Sequence, residues 1–544
     1  MSRLYVPLKK FVPILFLSVF IPLIAVLVID HFLRLESFFL YILYLFPAFG
    51  LLLGILYPFM AKGRDRSEMD WKLPPLVVHI SVLASSGMVR MEILDEVSRE
   101  KEFGPLAREF GNIYRLVSKL NVPLHEACKI VSKDVPSKSF KEFLRRLGHS
   151  IEAGEDFAGF IRDERQSVIR EYTLLYERSV KSMDATQEFF SGMMAAASFV
   201  LVLVAILPPL VGTNPILGIC VGILITIILE ALVVAILTAT LPKDEIWARV
   251  RNRGLDSMDL YLLISIGVSI PLLTGLVLIT LHGWSFLSLL ITVPLAFTPL
   301  LLVGLKTRKE ENALKRKDDE YPSFVRSTCS SYGYRRGNDA KVIEGLLRQD
   351  FGPLSEDIKA LHKRLKTGIS AKRSWNFFSQ DTGSSLIHRF TRILYGGMRS
   401  GGDPTELGNT ISSTFVTMNG MRKMRYSAAS IFAGLVYGLG LAVIAVFALS
   451  LGIEEFLGSI YNLEGVSEAM GEMNLQVVRS MGTEIIEVVT LSVVISYAIA
   501  GAIVIKLSSS SHPYIIFLHF PLLVWMGSLT ATVMLVGVGS LMGV

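Results

Sequence analysis

Nine stretches of this chain are apolar for long enough to cross a bilayer, and two long polar segments interrupt them. A membrane-spanning helix takes about 20 predominantly apolar residues. Runs of that kind fall near 11–29, 37–60, 189–211, 215–241, 259–281, 284–305, 428–450, 484–506 and 514–542. The composition agrees, being 51% hydrophobic and only 19% charged. The fold class read from this is an all-α polytopic membrane protein. The first run lacks a small-residue cleavage site and is long enough to span, so it reads as a span and not a cleavable signal. Three scattered cysteines, Cys128, Cys220 and Cys329, exclude a disulfide framework and a zinc site of standard spacing.

Orientation follows from lysine and arginine. With nine spans, the flanks carrying Lys9–Lys10, Lys62–Arg64–Arg66, Arg249–Arg251–Arg253, Lys306–Arg308–Lys309, Arg422–Lys423–Arg425 and Lys506 all fall on one side. The polar segments 61–188 and 306–427 hold 21 and 23 of the 54 basic residues, and only Arg34 and Arg479 lie in outward loops. The positive-inside rule then puts the N-terminus in the cytoplasm and the C-terminus outside. The one sizeable outward loop, 451–483, has five glutamates and one arginine.

The polar segments echo one another. Phe-Gly-Pro-Leu occurs at Phe103–Leu106 and again at Phe351–Leu354. Leu106, Phe110, Ile113 and Val117 follow the first, and Leu354, Ile358, Leu361 and Leu365 the second, at a constant offset of 248. Steps of 4, 3 and 4 make the apolar stripe of an amphipathic helix, and Gly-Pro suits a helix start. At an offset of 247, Phe140, Phe143, Leu147 and Ile151 correspond to Ile387, Phe390, Leu394 and Met398. Both stripes end in a glycine-acid turn, Gly154–Glu155–Asp156 and Gly401–Gly402–Asp403. One residue has been lost between the stripes. The pattern predicts a duplication, span-span-bundle-span-span written twice, with a ninth span appended. The expected divisions are 1–60 (spans one and two), 61–188 (first cytoplasmic bundle), 189–305 (spans three to six), 306–427 (second bundle) and 428–544 (spans seven to nine). Same-sense repeats imply a pseudo-twofold axis along the membrane normal.

Catalytic motifs do not appear. The chain has no Gly-Lys-[Ser/Thr] for a phosphate loop. His125–Lys129 begins like a zinc-protease motif and lacks the second histidine, and the glycines of Gly397–Gly401 are better read as helix-stop chemistry than as a nucleophile elbow. A non-enzymatic scaffold is expected, with no cofactor and no metal.

Two apolar-patterned helical segments, each ending in a glycine-acid turn and then a long helix entering the membrane, resemble the type II secretion F domain. The nine-span layout resembles its archaeal branch, the membrane platform proteins of the archaellum and of archaeal type IV pili. The resemblance implies a platform that docks a hexameric cytoplasmic secretion ATPase and supports the insertion of pilin-like or archaellin subunits, with the archaellum slightly favoured over the pilus. The energy source would then be another chain. A secondary transporter is the competing class, but it calls for mid-membrane polar groups in both repeats. Glu230 has no counterpart in the eighth span, whose Glu484 and Glu487 sit at the outer end. A membrane scaffold without a filament remains the third alternative.

Some residues stand out within that frame. The second polar segment has 23 basic against 13 acidic residues, where the first has 21 of each. Its clusters Arg335–Arg336, Lys363–Arg364–Lys366 and Lys372–Arg373 could dock an acidic ATPase surface. Taken singly, each residue is better read as part of a solvated face near anionic lipid. Glu230, in mid-span, is either a functional group or a protonated acid held between packed helices. Gly50/Gly54 and Gly434/Gly438 have the spacing of close helix contacts. They could serve a homodimer, though packing within the chain is the favoured role. Partners are the bilayer and proteins, with no nucleic acid.

Overall fold

The computed structural model describes residues 66, 68–211, 215–241, 246–247, 253–281, 289–334, 339–461 and 483–542. Among the described residues, helices are joined by short turns and no strand forms; one isolated bridge pairs Trp247 with Ser384. The chain contacts group into two compact units, one built on Met88–Val168 and the helix before it, the other on Ile169 onward. In chain order the helices are α1 (68–85), α2 (Arg90–Arg99), α3 (Pro105–Leu120), α4 (Leu124–Asp134), α5 (Lys138–Glu152) and α6 (Phe157–Val211). They continue as α7 (Pro215–Thr240), α8 (Arg253–Leu281), α9 (Leu289–Phe297), α10 (Leu300–Tyr334), α11 (Asp339–Leu346) and α12 (Ser355–Lys366). The last are α13 (Ala371–Asp381), α14 (Ser385–Arg399), α15 (Pro404–Tyr461), α16 (Thr483–Ser509) and α17 (Ile516–Met542).

Six described helices are long and apolar enough to cross a membrane, and a seventh span arises if the bent pair α9–α10 counts as one. These occupy the places of the third to ninth apolar runs; the first two runs lie outside the described residues. The sixth run differs from a straight span. Its two helices meet at 46°, across Thr298–Pro299. Proline supplies no N–H and its ring clashes with the preceding turn. The chain crosses the break on three-residue turns, Thr298 N–H to Leu295 O at 3.2 Å and Leu301 N–H to Thr298 O at 3.0 Å. Trp525 of α17 donates its indole N–H to the Thr298 hydroxyl at 3.0 Å and holds the bend from the side. Around it, Phe432, Val436 and Phe447 of α15, Val494 and Ala498 of α16, and Val524 and Ala531 of α17 form the buried membrane core.

The duplication is present in the backbone. Gly104 and Gly352 both have positive φ, +56° and +54°, as do Gly154 and Gly401, +75° and +82°. Helices α4 and α13 have 11 residues each, and α5 and α14 have 15, at an offset of 247. Every position of the first stripe through Ile113 and Leu361 is buried, as are Phe140, Phe143 and Leu147 with Ile387, Phe390 and Leu394. Where α3 ends, Val122 N–H bonds Leu116 O; where α12 ends, Ile369 N–H bonds Arg364 O. These are equivalent atoms, and the first loop encloses one residue more. The lost residue therefore lies in that final turn.

The glycine-acid turns do two jobs. Gly154 and Gly401 end one helix in the left-handed conformation that lets the chain reverse. The aspartate two residues on starts the next helix: Asp156 accepts from Gly159 N–H at 2.8 Å, and Asp403 from Thr405 N–H at 3.1 Å. That next helix is long in both copies, 55 residues in α6 and 58 in α15, each uninterrupted across the expected boundary between bundle and span.

Candidate docking face and buried polar joint

The turn between α12 and α13 gathers most of the predicted cations at one end of the second bundle. Lys363 and Lys366 lie in the last turn of α12 and Lys372 and Arg373 in the first turn of α13, all exposed. Gly368, at φ +83°, reverses the chain between them. Arg364 departs from the expectation. Its guanidinium is tied to the Asp381 carboxylate and lies over the Phe377 ring, 5.3 Å from the centroid. It is an internal strut, because position 364 faces α13 where 363 and 366 face solvent. Arg335 and Arg336 lie outside the described residues.

A second feature was not legible in the sequence. Ser384 caps α14 by accepting from Ile387 N–H at 3.2 Å, and its hydroxyl donates to the buried carboxylate of Asp318 on α10. Ser137 repeats this in the first copy, accepting from Phe140 N–H at 3.0 Å and donating to Asp70. The second copy adds a buried cation. Arg422 of α15, 2% exposed, donates to the Ser385 hydroxyl at 3.0 Å and lies 3.6 Å from Asp318. Ser385 N–H also bonds Ile246 O at 2.9 Å, which pins the segment after α7 to this node.

One turn further along α15, Arg425 closes the end of α16. Its guanidinium donates to the carbonyls of Ser508 and Leu507, both at 2.8 Å. Those carbonyls belong to the last turn of α16, where a helix has acceptors without internal partners and favours positive charge. The turn beyond is held by Glu311 of α10, which accepts from His512 N–H at 2.6 Å, while the His512 ring packs edge-on against Trp247 at 5.3 Å. Helices α10, α15 and α16 and the turn ahead of α17 are thus joined by polar contacts at one end of the membrane helices.

Within the membrane helices, Glu230 of α7 is buried, and Tyr497 of α16 donates its hydroxyl to Val436 O at 2.6 Å. At the far end of α16, Glu487 accepts from Leu289 N–H at 2.9 Å and caps α9. Gly434 and Gly438 do not pack against the described chain. A Cβ built at either meets nothing within 4 Å. Helix α15 turns its Phe432, Val436 and Phe447 face to the core and leaves these glycines on another face, where no described residue meets them. Gly50 and Gly54 lie outside the described residues. No group of three or more His, Cys, Asp or Glu side chains is placed to hold a metal among the described residues.

Comparison with known proteins fits this architecture. Residues 77–212 match the family model of the type II secretion system (T2SS), protein F. The chain is 30% identical over 526 residues to flagella accessory protein J of Methanocaldococcus jannaschii, covering 95% of this chain and 93% of that one. The chain belongs to the flagella accessory protein J family. A second relative of that description, from Methanococcus voltae, is 28% identical over 535 residues, covering 97% of this chain and 94% of that one. No solved structure matches. The protein F match begins in α1 and ends just past α6, so it takes in the first bundle and the long helix that follows it. The internal offsets carry that stretch onto α10 to α15. This chain therefore presents two such units, and they differ in charge. Arg146 pairs with Glu164 in the first unit, where the equivalent positions of the second are the buried Ile393 and Ile411.

Proposed function

We propose that this multi-pass membrane protein is the platform of a type IV-pilus-like filament machine of the archaellum type. In this reading 61–188 and 306–427 are the cytoplasmic bundles, the N-terminus is cytoplasmic, and the C-terminus and the 451–483 loop are external. A cytoplasmic secretion ATPase docks on the second bundle and pilin-like subunits join the filament at the membrane body. The observation that carries this is the pair of uninterrupted helices α6 and α15, 55 and 58 residues long, each running from a glycine-acid turn into a membrane span. A push on the bundle is transmitted along a continuous helix, and in the second copy Arg425 also bolts it to α16. The cations at Lys363, Lys366, Lys372 and Arg373 speed encounter with an acidic surface. The Gly434/Gly438 face, which no described residue covers, suits close approach of another helix.

The test has two arms. Purified full-length protein in lipid nanodiscs should bind the secretion ATPase encoded in the same cells and hydrolyse no ATP alone. Cells lacking the chain should export no filament while still making its subunits. Normal filaments without the chain would overturn the proposal.

A further inference from the structure

We propose that the ATPase contact is anchored by an apolar group, Phe377, seated within the cationic collar, so that the complementary site is an apolar pocket rimmed with carboxylates. This rests on the docking reading above and names the chemistry of its partner. Phe377 is 42% exposed, and Ile369, in the adjoining turn, is 38% exposed. Leaving a ring of that size in water forfeits favourable burial, so an exposed aromatic among cations has the make-up of an interface anchor.

The ring is also held in place before any partner arrives. Arg364 covers one of its faces at 5.3 Å, and Arg364 is itself fixed by the carboxylate of Asp381. A guanidinium stacked on an aromatic ring and paired at its far side has little freedom left. Binding then costs less side-chain entropy than it would for a loose group.

The duplication supplies a second sample of the same position. At an offset of 247 stands Ile130 of α4, 45% exposed. The buried face of that helix is shared by both copies: Ala127, Cys128, Val131 and Ser132 correspond to Ser374, Trp375, Phe378 and Ser379. The flanking charges diverged, His125 and Glu126 standing where the second copy has Lys372 and Arg373. A large apolar side chain stayed in solvent in both copies while its neighbours changed. A solvated face has no need of one. The basic flank assigns the acidic partner to the Phe377 copy.

The experiment measures ATPase binding to the full chain in nanodiscs across a salt series, for the wild type, Phe377→Ala and Phe377→Leu. Phe377→Ala should weaken binding about 10- to 30-fold, the scale of an anchor residue. The loss should appear mainly in dissociation rate, with the salt dependence unchanged because no charge is removed. Phe377→Leu should stay within about threefold of wild type, since it keeps an apolar group. Unchanged melting of both variants would show that the loss is at the interface, as expected for an exposed side chain. Wild-type binding that Phe377→Ala leaves intact would overturn the anchor and leave the docking reading standing. No wild-type binding at low salt would overturn both.

Discussion

Replacing Gly154 or Gly401 by alanine isolates the backbone contribution of the glycine-acid turns. A Cβ at either position meets nothing within 4 Å, so no neighbour is displaced. The φ values of +75° and +82° remain, and an L-residue pays about 1–2 kcal/mol to adopt left-handed backbone. A cost of that size changes an opening equilibrium roughly 5- to 30-fold. Hydrogen exchange reads it at the last turns of α5 and α14, where Glu155 N–H is bonded to Ser150 O at 3.1 Å and Ser400 N–H to Gly396 O at 3.0 Å. Both alanine variants should exchange faster there by that factor, and by similar amounts. Asparagine, which tolerates this conformation better, should recover part of the protection in each. Unchanged exchange in both would refute the backbone argument. A loss in one copy only would refute the equivalence of the two turns.

Other perturbations test the packing. Phe390 is fully buried and meets Phe415 edge-on at 5.3 Å. Phe390→Ala should destabilise the second bundle by about 3–5 kcal/mol in denaturant unfolding, and a change below about 1 kcal/mol would place it outside the core. Arg422→Ala should cost a similar ~3–5 kcal/mol, since it strands the Asp318 carboxylate beside Ser384 in a buried site. Pairing it with Asp318→Asn should recover much of that loss. Burial pushes the Cys128 thiol from 9.0 up to about 12, so a variant retaining Cys128 alone should resist alkylation at about pH 8 until unfolded. Because the folded value lies above the unfolded one, this contribution to stability is complete below about pH 8 and fades as pH climbs through 9.0 towards about 12.

The apolar stripes were readable because helical periodicity and a constant offset are properties of the sequence itself. Leu106, Ile113 and Phe143 could be paired with Leu354, Leu361 and Phe390 without coordinates, and all six are buried. The lost residue could be inferred but not placed, since only the hydrogen bonds at Val122 and Ile369 show which turn shortened. The capping serines were hidden for another reason. Ser384 precedes the second stripe in plain view, yet its partner Asp318 lies 66 positions upstream. A cap signal ahead of a stripe could have raised Ser137 and Ser384 as candidates; no local pattern points to Asp70 or Asp318. Charge was misjudged where position on a helix decides its use. Arg364 looked like its neighbours and turned inward to Asp381, and Arg422 and Arg425 counted only towards orientation although both are buried. Gly434 and Gly438 had the right spacing for a helix contact, but spacing does not say which face of α15 the core takes.

The most direct test of the platform account is the salt dependence of ATPase binding to the full chain in nanodiscs, with Lys363, Lys366, Lys372 and Arg373 all reversed to glutamate. Arg364 is left in place because it pairs with Asp381. Wild-type binding should weaken steadily as salt rises, since exposed charges are screened beyond about 8–10 Å at physiological ionic strength. The reversed variant should associate at least about tenfold more slowly at low salt and lose most of that salt dependence. Equal association by the two proteins at low salt would contradict docking through the second bundle.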